Sequence, residues 1–349
     1  MIKLKVNNQT FDLKKHVFVI AEAGVNYNNN LSLAYKMIDE AKKAGANAIK
    51  FQTFITENIQ LKSSIKPNYQ KNIKNTNYFD LIKSLEPSFN DQKKLSDYCK
   101  KKKIIFLSTP YDEKSADFLD SINVPIFKIA STDLTNYFLL QHICKKNKPI
   151  FLSTGLSSYK EIDESVKLIE KFHMKNKLVL LQTTSDYPTK NIDINLKVIP
   201  EYIRKYNVTV GFSDHTQTNV ASLGAIALGA RIVEKHFTLD RNLPGPDQSS
   251  SLEPSELKDW IQKIRIMEQS LGTKIKKITN SELKNLTMRK IIVINPTSKG
   301  TKITLTHLGA MRGKKTGILP LKSNIDKILG KKLLTDVIKI QEFSWNLIE

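Results

Sequence analysis

Cysteine is almost missing from this chain: Cys99 and Cys144 are the whole complement. Two thiols cannot build a disulfide framework or a thiolate zinc site. Both fall in helical stretches, where they read as buried free thiols of a cytoplasmic protein. Arginine is scarce too. It occurs only at 204, 231, 241, 265, 289 and 312, so lysine supplies most of the 55 basic residues set against 34 acidic ones, a net charge of +21. Nucleic-acid readout favours the bidentate guanidinium over the point charge of lysine. The lysines are also spread along the chain, apart from short runs such as Lys100 to Lys103. A basic nucleic-acid-binding protein is therefore the weaker reading of the charge, and a lysine-rich surface the stronger. Long apolar runs are absent as well. No stretch reaches the roughly 18 apolar residues of a membrane-spanning helix. Met1-Ile-Lys-Leu-Lys-Val6 lacks the apolar core and cleavage site of a signal peptide.

What is present has one rhythm. From residue 17 to about 240, short runs rich in Val, Ile, Leu and Phe alternate with amphipathic stretches. The runs are His16–Ala21, Asn47–Phe51, Ile104–Leu107, Ile126–Ala130, Pro149–Leu152, Lys177–Leu181, Val208–Phe212 and Arg231–Lys235. Their continuous apolar character fits parallel strands buried on both faces. Between them, Leu31–Ala44, stopped by Gly45, and Tyr159–His173 carry helical stripes, and Asn219–Gly229 is small and apolar. Eight β-then-α units predict an α/β fold, a (β/α)8 TIM barrel over residues 1–272, closed by a helix at Pro254–Leu271. The stretch from Ile55 to Pro87 reads as a long polar loop. A linker follows at 273–285, then a small domain at 286–349 whose runs Lys290–Ile294 and Lys302–Leu305 read as strands.

In such a barrel the chemistry lies where the strands end. The eight ends deliver Glu22; Lys50 and Gln52; Ser108 and Thr109; Lys128, Ser131 and Asp133; Ser153 and Thr154; Thr183, Thr184, Ser185 and Tyr187; Ser213, Asp214 and His215; and Glu234, Lys235 and His236. Lys50 and Lys128 among hydroxyls suit a phosphate and a carboxylate. His215 and His236 follow adjacent strands and suit one divalent cation, whether Mn²⁺, Mg²⁺, Co²⁺ or Zn²⁺. The loop Arg241-Asn-Leu-Pro-Gly-Pro-Asp247 is stiffened by two prolines and aims Asp247 at a sugar hydroxyl.

Val19–Asn26, Lys50-Phe-Gln-Thr53, Phe106–Pro110, Phe127–Ser131, Pro149–Gly155, Tyr187-Pro-Thr189, Gly211-Phe-Ser-Asp-His-Thr216, Glu234–Thr238 and Pro244-Gly-Pro-Asp247 together resemble the sialic acid synthase family, makers of nonulosonic acids. The resemblance runs from about residue 15 to the C-terminus, where the tail is similar to the antifreeze-like (SAF) domain. It implies condensation of phosphoenolpyruvate with an N-acylated mannose-type aldehyde, N-acetylmannosamine or its 2,4-diacetamido-2,4,6-trideoxy analogue, with phosphate leaving by C–O cleavage. It implies His215 and His236 as ligands of a divalent metal, Mn²⁺ above all. It places Glu22 beside that metal in a catalytic role. Lys50, Thr109, Lys128, Ser131, Ser153 and Ser213 match the phosphoenolpyruvate pocket, and Gln52, Tyr187 and Asp247 the sugar contacts. Arg312 matches an arginine that reaches the sugar's acyl group in the neighbouring subunit, implying a domain-swapped homodimer.

Five places depart from the family pattern. Tyr27 stands for His, Asn29 for Gly, Asp133 for Glu, Ser185 for an Asn that contacts phosphoenolpyruvate, and Gly313-Lys-Lys-Thr-Gly317 for a Pro-Gly stretch. These cluster near the acceptor sugar. Lys50–Thr53 and Tyr69-Gln-Lys-Asn72 resemble legionaminic acid synthases more than strict N-acetylneuraminate ones. A pseudaminic acid synthase is the near alternative, and a Schiff-base aldolase using Lys128 or Lys50 the chemical one.

Overall fold

The structure is a computed structural model, and it describes residues 3–6, 9–67, 77–285 and 287–349. The Tyr69–Asn72 segment of the sequence reading lies outside the described residues. The chain divides into two units, Met1–Gly272 and Thr273–Glu349.

In the first unit an antiparallel pair, β1 (Lys3–Val6) and β2 (Gln9–Asp12), precedes eight parallel strands. These are β3 (Phe18–Gly24), β4 (Ala48–Thr53), β5 (Ile105–Pro110), β6 (Phe127–Ile129), β7 (Ile150–Ser153), β8 (Leu178–Gln182), β9 (Thr209–Asp214) and β10 (Ile232–His236). They hydrogen-bond in the order β5-β4-β3-β10-β9-β8-β7-β6, and β5 and β6 touch, so the sheet closes into a barrel. All eight expected strands are present, with ends shifted by one to three residues. The β1–β2 pair was not expected from sequence.

Each crossover helix forms for a visible reason. In α1 (Leu31–Ala44) the Asn30 side chain accepts from the Ser32 and Leu33 N–H groups. Gly45, left-handed at φ 94°, stops the helix, and Ala34, Met37, Ile38 and Ala41 face the sheet. The long loop after β4 is not bare: it contains α2 (Thr56–Ile59) and α3 (Tyr78–Leu85). Leu81 and Leu85 of α3 pack with Val25 and Phe54. Then come α4 (Phe89–Lys102), α5 (Glu113–Ser121) and α6 (Tyr137–Lys145). Ser158 and Glu161 cap each other at the start of α7 (Tyr159–Lys171), two residues shorter than its stripe. After α8 (Val198–Tyr206), α9 (Val220–Ala227) lays Ala221, Ser222 and Ala225 on the barrel. Last, α10 (Pro254–Leu271) opens on proline and buries Leu257, Trp260 and Ile264.

Strand side chains alternate between two cores. Val19, Ile49, Phe106, Phe127, Leu152, Leu180, Phe212 and Val233 point out to the helices. Phe18, Ile20, Ile105, Phe151, Val179 and Ile232 fill the lower barrel interior, sealed by Leu4 and Val6 of β1. The interior row then turns polar along the same strands, and this gradient positions the site. Among the described residues no helix is long and apolar enough to cross a membrane.

The second unit has α11 (Asn280–Lys284) inside the expected linker. Its sheet runs β12 (Leu308–Arg312), β11 (Arg289–Val293), β13 (Gln341–Glu342), all antiparallel. Ile291, Val293, Ile303, Ile328 and Phe343 form its core, with α12 (Lys322–Ile328) supplying Ile328. Lys302–Leu305 is not a strand. Lys302 makes a single bridge to Lys332, and Leu305–His307 is a 3₁₀ turn. The Thr304 N–H and hydroxyl both engage His307, a local bond that competes with a ladder.

Candidate active site

Four buried charges sit together where the barrel interior becomes polar. The Lys50 ammonium is 2.6 Å from Glu22 and donates to the Thr109 hydroxyl at 3.1 Å. Glu234 lies 3.7 Å from both Lys50 and Lys128, and accepts from the Ser213 hydroxyl at 3.0 Å. All four are at most 5% exposed. The shared field separates the carboxyls. Burial, helped by Glu234 and opposed by Lys50, pushes Glu22 up to about 7. Burial opposes ionisation of Glu234 as well, but Lys128 and Lys50 together hold it at about 2. Lys50 is held up against burial by Glu22 and Glu234, whereas burial prevails at Lys128 and lowers it. Glu234 is the site residue that the sequence reading left unassigned. Strand parity could have found it: if His236 points inward, so does Glu234, while Lys235 points out.

Above the charges, the rings of His215 and His236 lie 5.5 Å apart. The Tyr187 ring stacks on His215 at 4.1 Å and meets His236 edge-on at 5.4 Å. The His215 Nδ1–H donates to the Thr184 carbonyl at 2.7 Å, which leaves Nε2 with its lone pair 3.3 Å from Ser213 Oγ. Burial drives His215 down to about 4, and burial with His215 and Lys50 drives His236 well below its usual value. Both imidazoles are therefore neutral near pH 7, as metal ligands must be. The His236 Nδ1 is buried, has no hydrogen-bond partner among the described residues, and lies 3.9 Å from Asp247. Asp247 is itself buried and raised to about 6 by that burial, against the pull of Lys50. It makes no helix-cap bond. Asn26 to Ser251, Ser251 to the Asp247 carbonyl, and Asn28 to the Pro244 carbonyl fix its loop. Among the described residues no cluster of three or more His, Cys, Asp or Glu could hold a metal. The donor set that fits is two neutral imidazoles with the remaining positions left to water and substrate oxygen.

A hydroxyl cradle lies after β6, β7 and β8. The Gly155 N–H donates to Ser131 Oγ at 3.1 Å. A Cβ at Gly155 would stand 2.4 Å from Ser185 Oγ, 2.8 Å from Ser131 Oγ and 3.2 Å from Thr183 Cγ2. Ser153 Oγ is buried without a hydrogen-bond partner among the described residues. The side chains of Gln52 and Glu22 both flank Gly24, where a Cβ would be 3.3 Å from each.

Four other residues singled out in the sequence have local surroundings of their own. Asp133, two residues after Ser131, accepts from Thr132 and Asn136 within its own turn. Tyr27 is not a mouth residue: it is buried in the outer core, edge-on to Phe51 at 5.6 Å, with its hydroxyl accepting from Gln92. Asn29 sits at φ 55°, which explains why glycine also fits there, and its amide donates to the Ser84 and Glu86 carbonyls at the C-terminal end of α3. Arg312 is exposed at the end of β12 in the second unit, in register with Arg289. A cavity of about 410 Å³ at the opposite, N-terminal end of the barrel, among Lys42, Asn47, Lys100, Lys103 and Pro125, contains none of the mouth residues.

Residues 37–276 match the profile described as the NeuB family. An N,N'-diacetyllegionaminic acid synthase of Legionella pneumophila is 38% identical over 95% of this chain and 94% of its own. The enzyme of that name from Campylobacter jejuni is 41% identical over 80% of this chain and 85% of its own. A crystal structure of an N-acetylneuraminic acid synthetase from Leptospira borgpetersenii superposes with TM-score 0.72 at 35% identity, covering 81% of this chain and 94% of that one.

Proposed function

The chain belongs to the NeuB family, and on that premise we propose that it is a nonulosonic acid synthase that joins phosphoenolpyruvate to an N-acylated mannose-type aldehyde and releases phosphate. The observation that carries this reading is one barrel mouth holding two ammoniums, a hydroxyl cradle and a pair of neutral histidines. Lys50 and Lys128 take the carboxylate and phosphate of phosphoenolpyruvate, with Ser131, Ser153 and Ser185 donating to phosphate oxygens. Its C3 attacks the aldehyde carbon and forms the new C–C bond. Water adds at C2 and gives up a proton, and the C2–O bond breaks to release phosphate. Glu22, titrating near 7, holds a proton for the new alkoxide oxygen. His215 and His236 would hold a divalent cation, Mn²⁺ before Mg²⁺ or Co²⁺, which when bound polarises the aldehyde as a Lewis acid.

For the acceptor we favour the 2,4-diacetamido-2,4,6-trideoxymannose of legionaminate synthesis, because the Legionella and Campylobacter relatives, at 38% and 41% identity, are named N,N'-diacetyllegionaminic acid synthases. We also read the second unit as the antifreeze-like domain, and the chain as a homodimer in which Arg312 of one subunit serves the other's sugar site. Exposed Leu61, Ile65, Phe138, Leu156, Ile192 and Val220 all follow barrel strands, an apolar rim suited to a partner surface.

The test is phosphate release with Mn²⁺ present, comparing N-acetylmannosamine with the diacetamido sugar. Faster turnover of the diacetamido sugar is expected, with activity lost on chelation and in His236→Ala. Release with neither sugar sinks the reading, and activity that survives both chelator and His236→Ala sinks the metal role. Borohydride trapping of substrate on Lys128 would instead favour the aldolase, which uses a lysine lowered by burial as this one is.

A further inference from the structure

Resting on the histidine pair as a metal-holding site, we propose that Asp214 and Lys235 are positioning residues that hold His215 and His236 at their mutual spacing. Each stands next to one of those histidines in the chain, and the two are directly paired across β9 and β10. They point outward while Ser213, His215, Glu234 and His236 point inward. Both side chains are wholly buried, and the ammonium lies 3.0 Å from the carboxylate.

The other outward positions here are Val210, Phe212, Val233 and Phe237, all apolar and packed against the helices. Charge in this layer is costly, and an ion pair buried this way contributes little net stability compared with apolar side chains of similar size. Directional bonds are what apolar side chains cannot supply, and these two residues make them in full. Asp214 accepts from the Thr216 N–H at 2.8 Å and from the Ser222 hydroxyl at 2.5 Å. Lys235 donates to the carbonyls of Thr216 at 2.5 Å and Thr218 at 3.1 Å. The segment that bears His215 is thereby tied to the strand that bears His236 and to α9. On the inner face the Ser213–Glu234 bond joins the same two strands one residue earlier. His215 and His236 sit on a cross-strand tie fastened on both faces.

The experiment uses the full chain, stripped of metal and titrated with Mn²⁺ by calorimetry, alongside thermal melting. In the double variant Asp214→Asn/Lys235→Met both charges go, so no unpaired ion stays buried and the melting temperature should move little. A purely structural pair predicts wild-type Mn²⁺ binding in that variant. A positioning pair predicts binding about 10–100-fold weaker, the usual cost of losing support for a metal ligand. Affinity within about twofold of wild type overturns the proposal. Should the double variant not fold, Ser222→Ala removes a single donor to Asp214: about fivefold weaker binding is expected, and unchanged binding overturns the proposal. A wild-type chain that binds no Mn²⁺, or a His236→Ala chain that binds it unchanged, overturns the underlying metal reading and this proposal with it.

Discussion

At the scale of single residues, Gly155 is where the site is most exposed to error. No positive φ demands glycine there; space does. The nearest atoms are the hydroxyls of Ser185 and Ser131, and a methyl would turn both away from the position where phosphate oxygens would sit. Hydroxyls can rotate, so Gly155→Ala should fold normally. Displacement of about 1 Å in a substrate pocket can cost on the order of 10²-fold in rate. We therefore expect kcat/KM for phosphoenolpyruvate to fall by that order with little change in melting temperature, as steady-state phosphate release would show. Wild-type kcat/KM would remove the cradle from the site. Much of this site was legible in sequence, because polar residues at the ends of apolar strands are conspicuous. What escaped was direction. Glu234, Lys235 and His236 are consecutive and all polar, and only strand parity assigns the first and third to the mouth and the second to the outer tie. Tyr27 failed differently, since a residue one step past a mouth motif turned back into the core.

At the scale of elements, the eight strands were readable because both of their faces are buried, which writes a continuous apolar run into each. The β1–β2 pair offered no such run. It is short, one of its faces is wet, and its Lys-Leu-Lys-Val alternation looked like surface. Its importance appears only in packing: Leu4, Val6 and Leu13 complete the lower barrel core with Phe18, Ile20 and Phe151. Leu4 is fully buried, and Leu→Ala in such a place costs about 2–5 kcal/mol. Leu4→Ala should lower unfolding free energy by that amount in urea with an unchanged m-value, while the mouth at the far end keeps its KM. A loss below about 0.5 kcal/mol would mean that the pair does not seal the barrel. The loop after β4 shows the reverse case. Its polarity hid two helices, and α3 is held by contacts distant in sequence, Asn29 to the Ser84 and Glu86 carbonyls and Leu81 to Val25.

At the scale of the whole molecule, charge and apolar surface point to different partners. The net +21 is spread widely, with +8 from Arg289 onward and +13 before it. A field so diffuse favours solubility over recognition of one anionic polymer. Exposed apolar side chains are spread over both units as well, but one set shares a place in the topology. Exposed Leu61, Ile65, Phe138, Leu156, Ile192 and Val220 follow five different strands, in loops or in the first turn of the next helix, and the topology brings all five places to one end of the barrel. Soluble monomers rarely gather large apolar side chains this way. A second copy of the chain is the occupant our reading requires, because Arg312 would then arrive from outside to complete the sugar site. Sedimentation at micromolar concentration should give twice the 39.8 kDa chain mass. Phe138→Asp with Leu156→Asp should shift the protein towards monomer, since a charge buried in an apolar contact costs several kcal/mol. If completion in trans is right, that monomer should lose activity in parallel with Arg312→Ala, mainly through a higher KM for the sugar. A wild-type monomer with full turnover would remove Arg312 from the site and leave the rim to some other partner.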